Sequence, residues 1–362
     1  MKEKTRKELW SALRQAALVQ GDLPEGKERP TPWFVRVMLG GAGWLGALFL
    51  LGFVATLVGS LFESRELFWM LGAAACGCAA VLYHVRRDGD FTSQFGLAVS
   101  LAGQIMMTFG MSGVFDRPHT AFFAAVAGQQ AILFVVMPNF VHRVWAAWSG
   151  LFALGVAMHG MMLGAFTTPL ITIALAMVWL REFDHPQQGA LLRAAGYGLA
   201  LAAAHMSVMD PGIMISWHWM AGKYEPDLGM LRALAYAGAA TTVVVVMVAT
   251  VLLMRREKVP LSSGAGRLGL ALGVLLAVLS IWAPGIVPAG AILVLGVANG
   301  NRVLAGLGIV ALLAYLSHYY YSLHATLLEK STILMAAGLA LLALRLIALR
   351  CLPAPKEKLP YA

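Results

Sequence analysis

The sequence predicts an all-α fold: a polytopic integral membrane helical bundle of about twelve helices, N-in and C-in. Three observations carry this. Only 12% of the 362 residues are charged and 59% are hydrophobic, where soluble domains hold about 25% charged residues. That is too little charge to solvate a surface of this size. Apolar runs recur from end to end, many near the roughly 20 residues that cross a hydrocarbon core of about 30 Å. Alternating those runs across a bilayer then sorts the Lys and Arg residues strongly to one side.

Residues 1–32 are basic and polar. Thr5 and Glu8 have the spacing of a capping box. Leu9, Leu13 and Ala16 or Ala17 form an apolar stripe beside Trp10, and Gly21 is placed to end the helix. Such a basic amphipathic helix suits the inner membrane surface, where anionic lipid attracts cations; docking on a partner is the alternative. Residues 22–32, with Pro24, Pro30 and Pro32, form a linker. The polar lead is too long for the n-region of a cleaved signal.

The bundle is predicted over 33–350, in spans at about 33–61, 67–85, 91–115, 121–138, 143–164, 167–181, 190–209, 231–254, 267–283, 285–298, 302–319 and 327–350. Spans six and ten are short, and Pro284 and Gly285 break the chain between nine and ten. Fusing neighbours would give eleven or ten. Residues 351–362 form a cytoplasmic tail. In this frame the outer side keeps only Arg65, Arg117, Lys223, Arg232 and Lys330 of all the basic residues, as the positive-inside rule expects. The net charge of +9 is then a topology signal. With no soluble domain to carry a basic face, no nucleic-acid partner is expected; the lipid bilayer is. Arg86 and Arg87 after span two, and Arg255 and Arg256 after span eight, are placed as a six-plus-six duplication would place them, though basic pairs at inner loops occur without one.

Small residues, Gly40, Gly43, Gly46 and Ala47 in the first span and the run 72–80 in the second, allow close backbone approach between helices. Cys76 and Cys78 point to different sides of one helix, and Cys351 stands alone. These provide neither a disulfide framework nor a metal quartet, so they pack as small apolar residues.

Polar groups inside the membrane need partners. Gln104 in span three and Gln129 and Gln130 in span four sit at similar depth. They either bond between helices or line a path. Near the end of the chain, residues 317–331 bring His318, Tyr319, Tyr320, Tyr321, His324, Glu329 and Lys330 to the outer face. His205 and Asp210 close span seven at the same level, with His218, Glu225 and Asp227 beyond them. This set is the candidate ligand or partner site, and imidazoles would make it pH-sensitive, since they titrate at about pH 6.5. Thr326 and Glu329 form a second capping box, starting span twelve at Leu327. Lys330 then opposes the helix dipole by roughly 0.3–1 kcal/mol. A carboxylate, from Asp210, Glu225 or Asp227, or a lipid phosphate is expected beside it. No spacing matches a metal motif or a catalytic signature, so no catalytic, cofactor or metal residue is assigned.

Two stretches carry a family resemblance. Leu9, Trp10 and Ser11 lead into Pro32, Trp33 and Phe34, then Gly40, Gly41 and Trp44, and then Leu61, Phe62, Glu63 and Ser64; Asn299, Gly300, Asn301 and Arg302 lead into Tyr319, Tyr320 and Tyr321 and then Leu327, Leu328, Glu329, Lys330 and Ser331. Together they resemble the bacterial membrane proteins of domain of unknown function 4401, similar to the neighbouring 2157 group, over nearly the whole chain. The resemblance implies a bacterial inner-membrane setting. It also implies a partner, a second membrane protein named for a Gly-Asp-Tyr-x-x-Leu-x-Tyr motif. It supplies no catalytic residues. The first functional expectation is a subunit or accessory scaffold of a membrane complex. The alternative is a transporter or channel for a small solute or lipid, with an outward-facing His/Asp/Glu pocket. Third comes an outer-leaflet lipid-modifying enzyme using His318, His324, Glu329 and Lys330 as acid–base and anion-binding groups.

Overall fold

The structure, a computed structural model, describes residues 3–15, 65–85, 90–115, 120–182, 186–209, 228–283 and 285–322, together with Asp184 and single residues within 19–56 and 328–346. Every regular element among them is helical. In chain order these are α1 (Glu3–Gln15), α2 (Arg65–Val85), α3 (Asp90–Met111), α4 (Thr120–Val136), α5 (Phe140–Gly160), α6 (Thr167–Leu180), α7 (Gly189–Val208), α8 (Leu228–Arg256), α9 (Gly264–Trp282), α10 (Ile286–Ala298) and α11 (Arg302–Ser322).

Helix α1 begins at Glu3, so Thr5 lies inside it and does not cap it. A carboxylate in the first turn favours the earlier start through the helix dipole. Trp10 and Leu13 are half-buried while Glu8, Ser11, Ala12 and Arg14 are exposed, which is the amphipathic division the stripe predicts. Gly21 takes φ 95°, a left-handed conformation that suits a chain reversal.

Helices α2 to α11 fall on predicted spans two to eleven. Four described helices are long and apolar enough to cross a membrane: α2, α5, α8 over Gly229–Arg256, and α11. The expected twelve is thereby corrected to four candidate spans among the described residues. For α6 and α10 the reason is length, whereas α3 and α7, with 22 and 20 residues, are long enough but not apolar enough. Helices α6 and α10 have 14 and 13 residues, or about 20 Å at ~1.5 Å per residue, against a core of about 30 Å. Most of the first and twelfth predicted spans, the linker and the tail lie outside the described residues. The break at Pro284 and Gly285 is real: α9 ends at Trp282 and α10 starts at Ile286.

The helices pack first as antiparallel neighbours. In the α2–α3 hairpin, Gly72 and Gly103 let the backbones touch; a Cβ on Gly72 would stand 2.7 Å from the Met107 nitrogen. In the α10–α11 hairpin, a Cβ on Gly308 would stand 2.5 Å from the Leu293 nitrogen. Helices α4 and α5 form a third hairpin, and α5 also packs on α7. Helices α6, α7, α10 and α11 share one apolar core in which Leu175, Trp179, Ala200, Ile292 and Leu304 are fully buried. Helix α8 leans on α6 and, with α9, closes its side. Cys76 is buried and bonds the Ser100 carbonyl, while Cys78 is exposed, so the two do face different ways.

This order gathers the loops at two ends. One holds the starts of α3, α5, α7, α9 and α11, the other those of α2, α4, α6, α8 and α10. They are called the basic end and the cavity end below.

Candidate functional site

At the cavity end a space of about 490 Å³ opens among α6, α7, α8, α10 and α11. Its floor includes buried Ile171 and Ala203, and its rim includes exposed His318 and Ser322. The space exists because α6 and α10 are short. The start of α6 borders it through Thr167 and the start of α10 through Gly285 and Pro288. Neither is capped by a side chain. Three helices that start at the basic end are capped: α5 by Asn139 to the His142 N–H, α9 by Ser263 to the Gly266 N–H, and α11 by Asn301 to the Leu304 N–H. At α6 and α10 backbone turns take up the first donor, the Thr167 N–H bonding the Gly164 carbonyl and the Ile286 N–H the Ala283 carbonyl at 3.1 Å, and each start still presents the positive end of its dipole. Two such ends beside one cavity favour an anion.

Side chains extend that character. His159, Tyr315, His318 and Tyr319 line the cavity with Ser207, Thr242 and Ser280. His159 Nδ1 is held by the Gly155 carbonyl at 2.8 Å. Thr167 is 6% exposed and its hydroxyl has no protein partner. The described lining contains no carboxylate and no Lys or Arg. The site therefore suits a small anion held by dipoles, imidazoles and hydroxyls.

The structure sorts the predicted outer set. His318 and Tyr319 enter the cavity, with Tyr319 tilted against Tyr315 at 5.9 Å between ring centroids. Tyr320 and Tyr321 meet edge to face at 5.4 Å, and Tyr321 is 80% exposed; neither lines the cavity. His205 is not in the cavity either. It stacks on Phe152 at 4.6 Å and lies 5.7 Å from Trp148, because its position on α7 faces α5. Glu329 is helical and exposed. Asp210, His218, Glu225, Asp227, His324, Thr326, Leu327 and Lys330 lie outside the described residues. Tyr315, His159 and Thr167 complete the site. His159 falls in the outer half of predicted span five with the other outer histidines, while Tyr315 and Thr167 carried no such signal.

The three glutamines predicted at mid-membrane depth come together, though not amide to amide. Gln129 Nε2 donates to the Gln104 carbonyl at 3.3 Å and to the Thr108 hydroxyl at 3.1 Å. Gln130 lies beside them on α4, 4% exposed. Nearer the basic end, Ser100 and fully buried His142 bond at 2.8 Å and tie α3 to α5.

A network that sequence reasoning missed closes the basic end. Asn299, after α10, donates from Nδ2 to the Trp179 carbonyl at 3.0 Å and accepts from the Arg256 guanidinium, which also reaches that carbonyl. Asn301 and the Tyr197 hydroxyl bond each other at 2.9–3.1 Å. Glu182, 7% exposed, accepts from Arg193 at 2.6 Å. The pair of asparagines around Gly300, which takes φ 63°, thus ties four helices together. Asn299, Gly300 and Asn301 stand in the stretch that carries the family resemblance.

The family model described as "Domain of unknown function (DUF4401)" matches residues 32–351. The chain belongs to this family. No curated protein and no solved structure matches it. Within DUF4401, then, this chain combines an all-helical fold, helices apolar enough to cross a membrane, an open cavity at one end and a hydrogen-bonded closure at the other.

Proposed function

We propose that this protein is a multi-pass bacterial inner-membrane protein of transporter type that takes a small anionic solute or headgroup into the cavity at its outer face. One observation carries the reading. Two short helices begin uncapped at a single cavity that also holds His159 and His318, and short, Pro-interrupted segments are where membrane transporters place their sites. Pro169 and Pro288 stand at the third position of α6 and α10 and carry no N–H, and the Thr167 and Ile286 N–H groups bond backbone carbonyls, so the helix dipoles, the imidazoles and the hydroxyls supply the attraction for an anion.

The orientation follows from charge. Arg143, Arg181, Arg193, Arg255, Arg256, Lys258, Arg267 and Arg302 lie toward the basic end, against Arg65 and Arg232 toward the cavity end, among the described residues. The positive-inside rule puts the basic end in the cytoplasm. In this reading the shorter apolar helices also cross the bilayer, α6 and α10 as partial spans, and the termini face inward.

The test uses purified full-length chain and measures thermal stability with inorganic phosphate, glycerol 3-phosphate and vesicles of phosphatidylglycerol. A ligand that binds only the folded state stabilises it by about 2.7 kcal/mol at one hundred times its dissociation constant. At least one anion should do so, and Thr167→Val and His318→Phe should remove the effect. Soluble anions acting alone indicate a solute; phosphatidylglycerol acting alone indicates a headgroup. If no anion stabilises the chain, or if both variants respond as the parent does, the reading fails.

The family resemblance favours a second reading, a subunit held to a partner of the Gly-Asp-Tyr-x-x-Leu-x-Tyr type. Stoichiometric co-purification of that partner from native membranes, with no anion effect, would support it over the first.

A further inference from the structure

A second space lies away from the cavity. The α2–α3 hairpin meets the α4–α5 hairpin only sparingly, and a groove of about 460 Å³ runs along their junction. One wall is polar: Gln104 and Thr108 on α3 and Ser112 in the turn just after it follow one another at four-residue spacing, facing Gln130 and Ser149. That spacing extends the polar stripe over about 12 Å. The other wall and the lip are apolar, with Ile105 62%, Phe109 52% and Trp145 39% exposed.

The polar wall is short of partners. Gln104 is 2% exposed and neither its Oε1 nor its Nε2 has a partner in the protein. Gln130 Oε1 is likewise unpaired. Orphaned amides in a membrane interior demand bonding from whatever occupies the space beside them. That occupant must both donate, to an amide oxygen, and accept, from an amide nitrogen. A hydroxyl does both. It carries no charge, because no ionised side chain lines the groove and an unpaired charge at this depth is costly. It arrives from the side, past Ile105, Phe109 and Trp145, which in a membrane face hydrocarbon.

We propose that the groove between the two hairpins is a lateral binding site for an uncharged lipid alcohol, whose hydroxyl bonds the amides of Gln104 and Gln130 while its chain stays against Ile105, Phe109 and Trp145. The site is separate from the anion cavity: the two share helix α5 but no lining residue. Water is the second source of the same hydroxyl chemistry, and the experiment separates the two.

The full-length chain in nanodiscs is exposed to a photoactivatable diacylglycerol, to the same probe with its hydroxyl methylated, and to a photoactivatable phosphatidylcholine. Cross-linked peptides are mapped by mass spectrometry. The diacylglycerol probe should label the peptides that carry Ile105, Phe109 and Trp145, should be competed by unlabelled dioleoylglycerol, and should exceed both other probes by about tenfold, the ratio that one added hydrogen bond supports. Gln104→Leu and Gln130→Met should each lower that labelling to the level of the methylated probe. Both variants remove orphaned polar atoms, so folding is not put at risk, and Val135→Ala on a lipid-facing surface should change nothing. Equal labelling by the three probes, or labelling unmoved by Gln104→Leu, would overturn the proposal and leave water as the occupant.

Discussion

Asn299→Ala tests what holds the basic end shut. The side chain makes two bonds of different kinds. Its Nδ2 donates to the Trp179 carbonyl at 3.0 Å, and its Oδ1 accepts from half-buried Arg256. A neutral bond contributes about 0.5–1.5 kcal/mol net and one to a charged group about 1.5–3. Arg256 still reaches the Trp179 carbonyl at 3.4 Å and Glu257 at 3.9 Å, so its guanidinium is not left bare. The expected loss is therefore about 2–4 kcal/mol. The assay is unfolding in mixed micelles titrated with SDS, followed by tryptophan fluorescence. A cycle with Arg256→Met isolates the charged bond. Hydrogen bonds between membrane helices average only about 0.6 kcal/mol, so a coupling above roughly 1 kcal/mol would show that the cation gives this one its strength. Coupling within about 0.5 kcal/mol of zero, the limit for independent sites, would refute the claim that Asn299 and Arg256 act as one closure.

Three more outcomes follow from the same packing. Tyr197→Phe should cost about 1 kcal/mol by removing its bonds to Asn301, and Asn301→Ala about twice that, since it also loses the cap on Leu304; SDS titration ranks them. Gly308→Val should force α10 and α11 apart, costing roughly 1–3 kcal/mol or more because the clash is with the Leu293 backbone, visible as lost monodisperse yield on size exclusion. Ser100→Ala should cost about 1–3 kcal/mol by leaving buried His142 Nδ1 unpaired, whereas Ser100→Ala with His142→Leu should recover most of that, because replacing both partners removes the orphan.

Much of the helical plan was legible because apolar runs and basic punctuation both mark helix limits. Thus α8 ends on Arg256 itself. The small-residue run 72–80 pointed to the close α2–α3 contact that Gly72 makes. Depth was less legible. Span counting treats every apolar run as equal, but α6 and α10 are too short to reach from end to end, and that shortfall is what leaves the cavity. The site was half legible. His318 and Tyr319 were drawn to it by their place at the end of α11, but helical rotation sends Tyr320 and Tyr321 elsewhere and turns His205 onto Phe152. Asn299 and Asn301 escaped notice as site residues because asparagines after a helix usually read as turn formers. Only the approach of α6, α7 and α8 in space gives them Trp179, Tyr197 and Arg256 as partners.

The contrast between the ends bears on what the cavity is. The cavity of about 490 Å³ is open at its rim, where His318 and Ser322 are exposed. The cavity is therefore filled, by water or by solute, and its imidazoles and hydroxyls suit either. Filling it with carbon distinguishes a packing fault from a site. Ala239 is half-buried on α8 and lines the space. If the cavity were a fault, Ala239→Leu would raise stability by about 1–2 kcal/mol, the transfer gain of the added methylenes. If it is a solvated anion site, Ala239→Leu displaces water that was already bonded, so unfolding in SDS should shift by less than about 0.5 kcal/mol while stabilisation by phosphate or phosphatidylglycerol disappears. A gain in stability with the anion response intact would show that the two helix starts do not form the site.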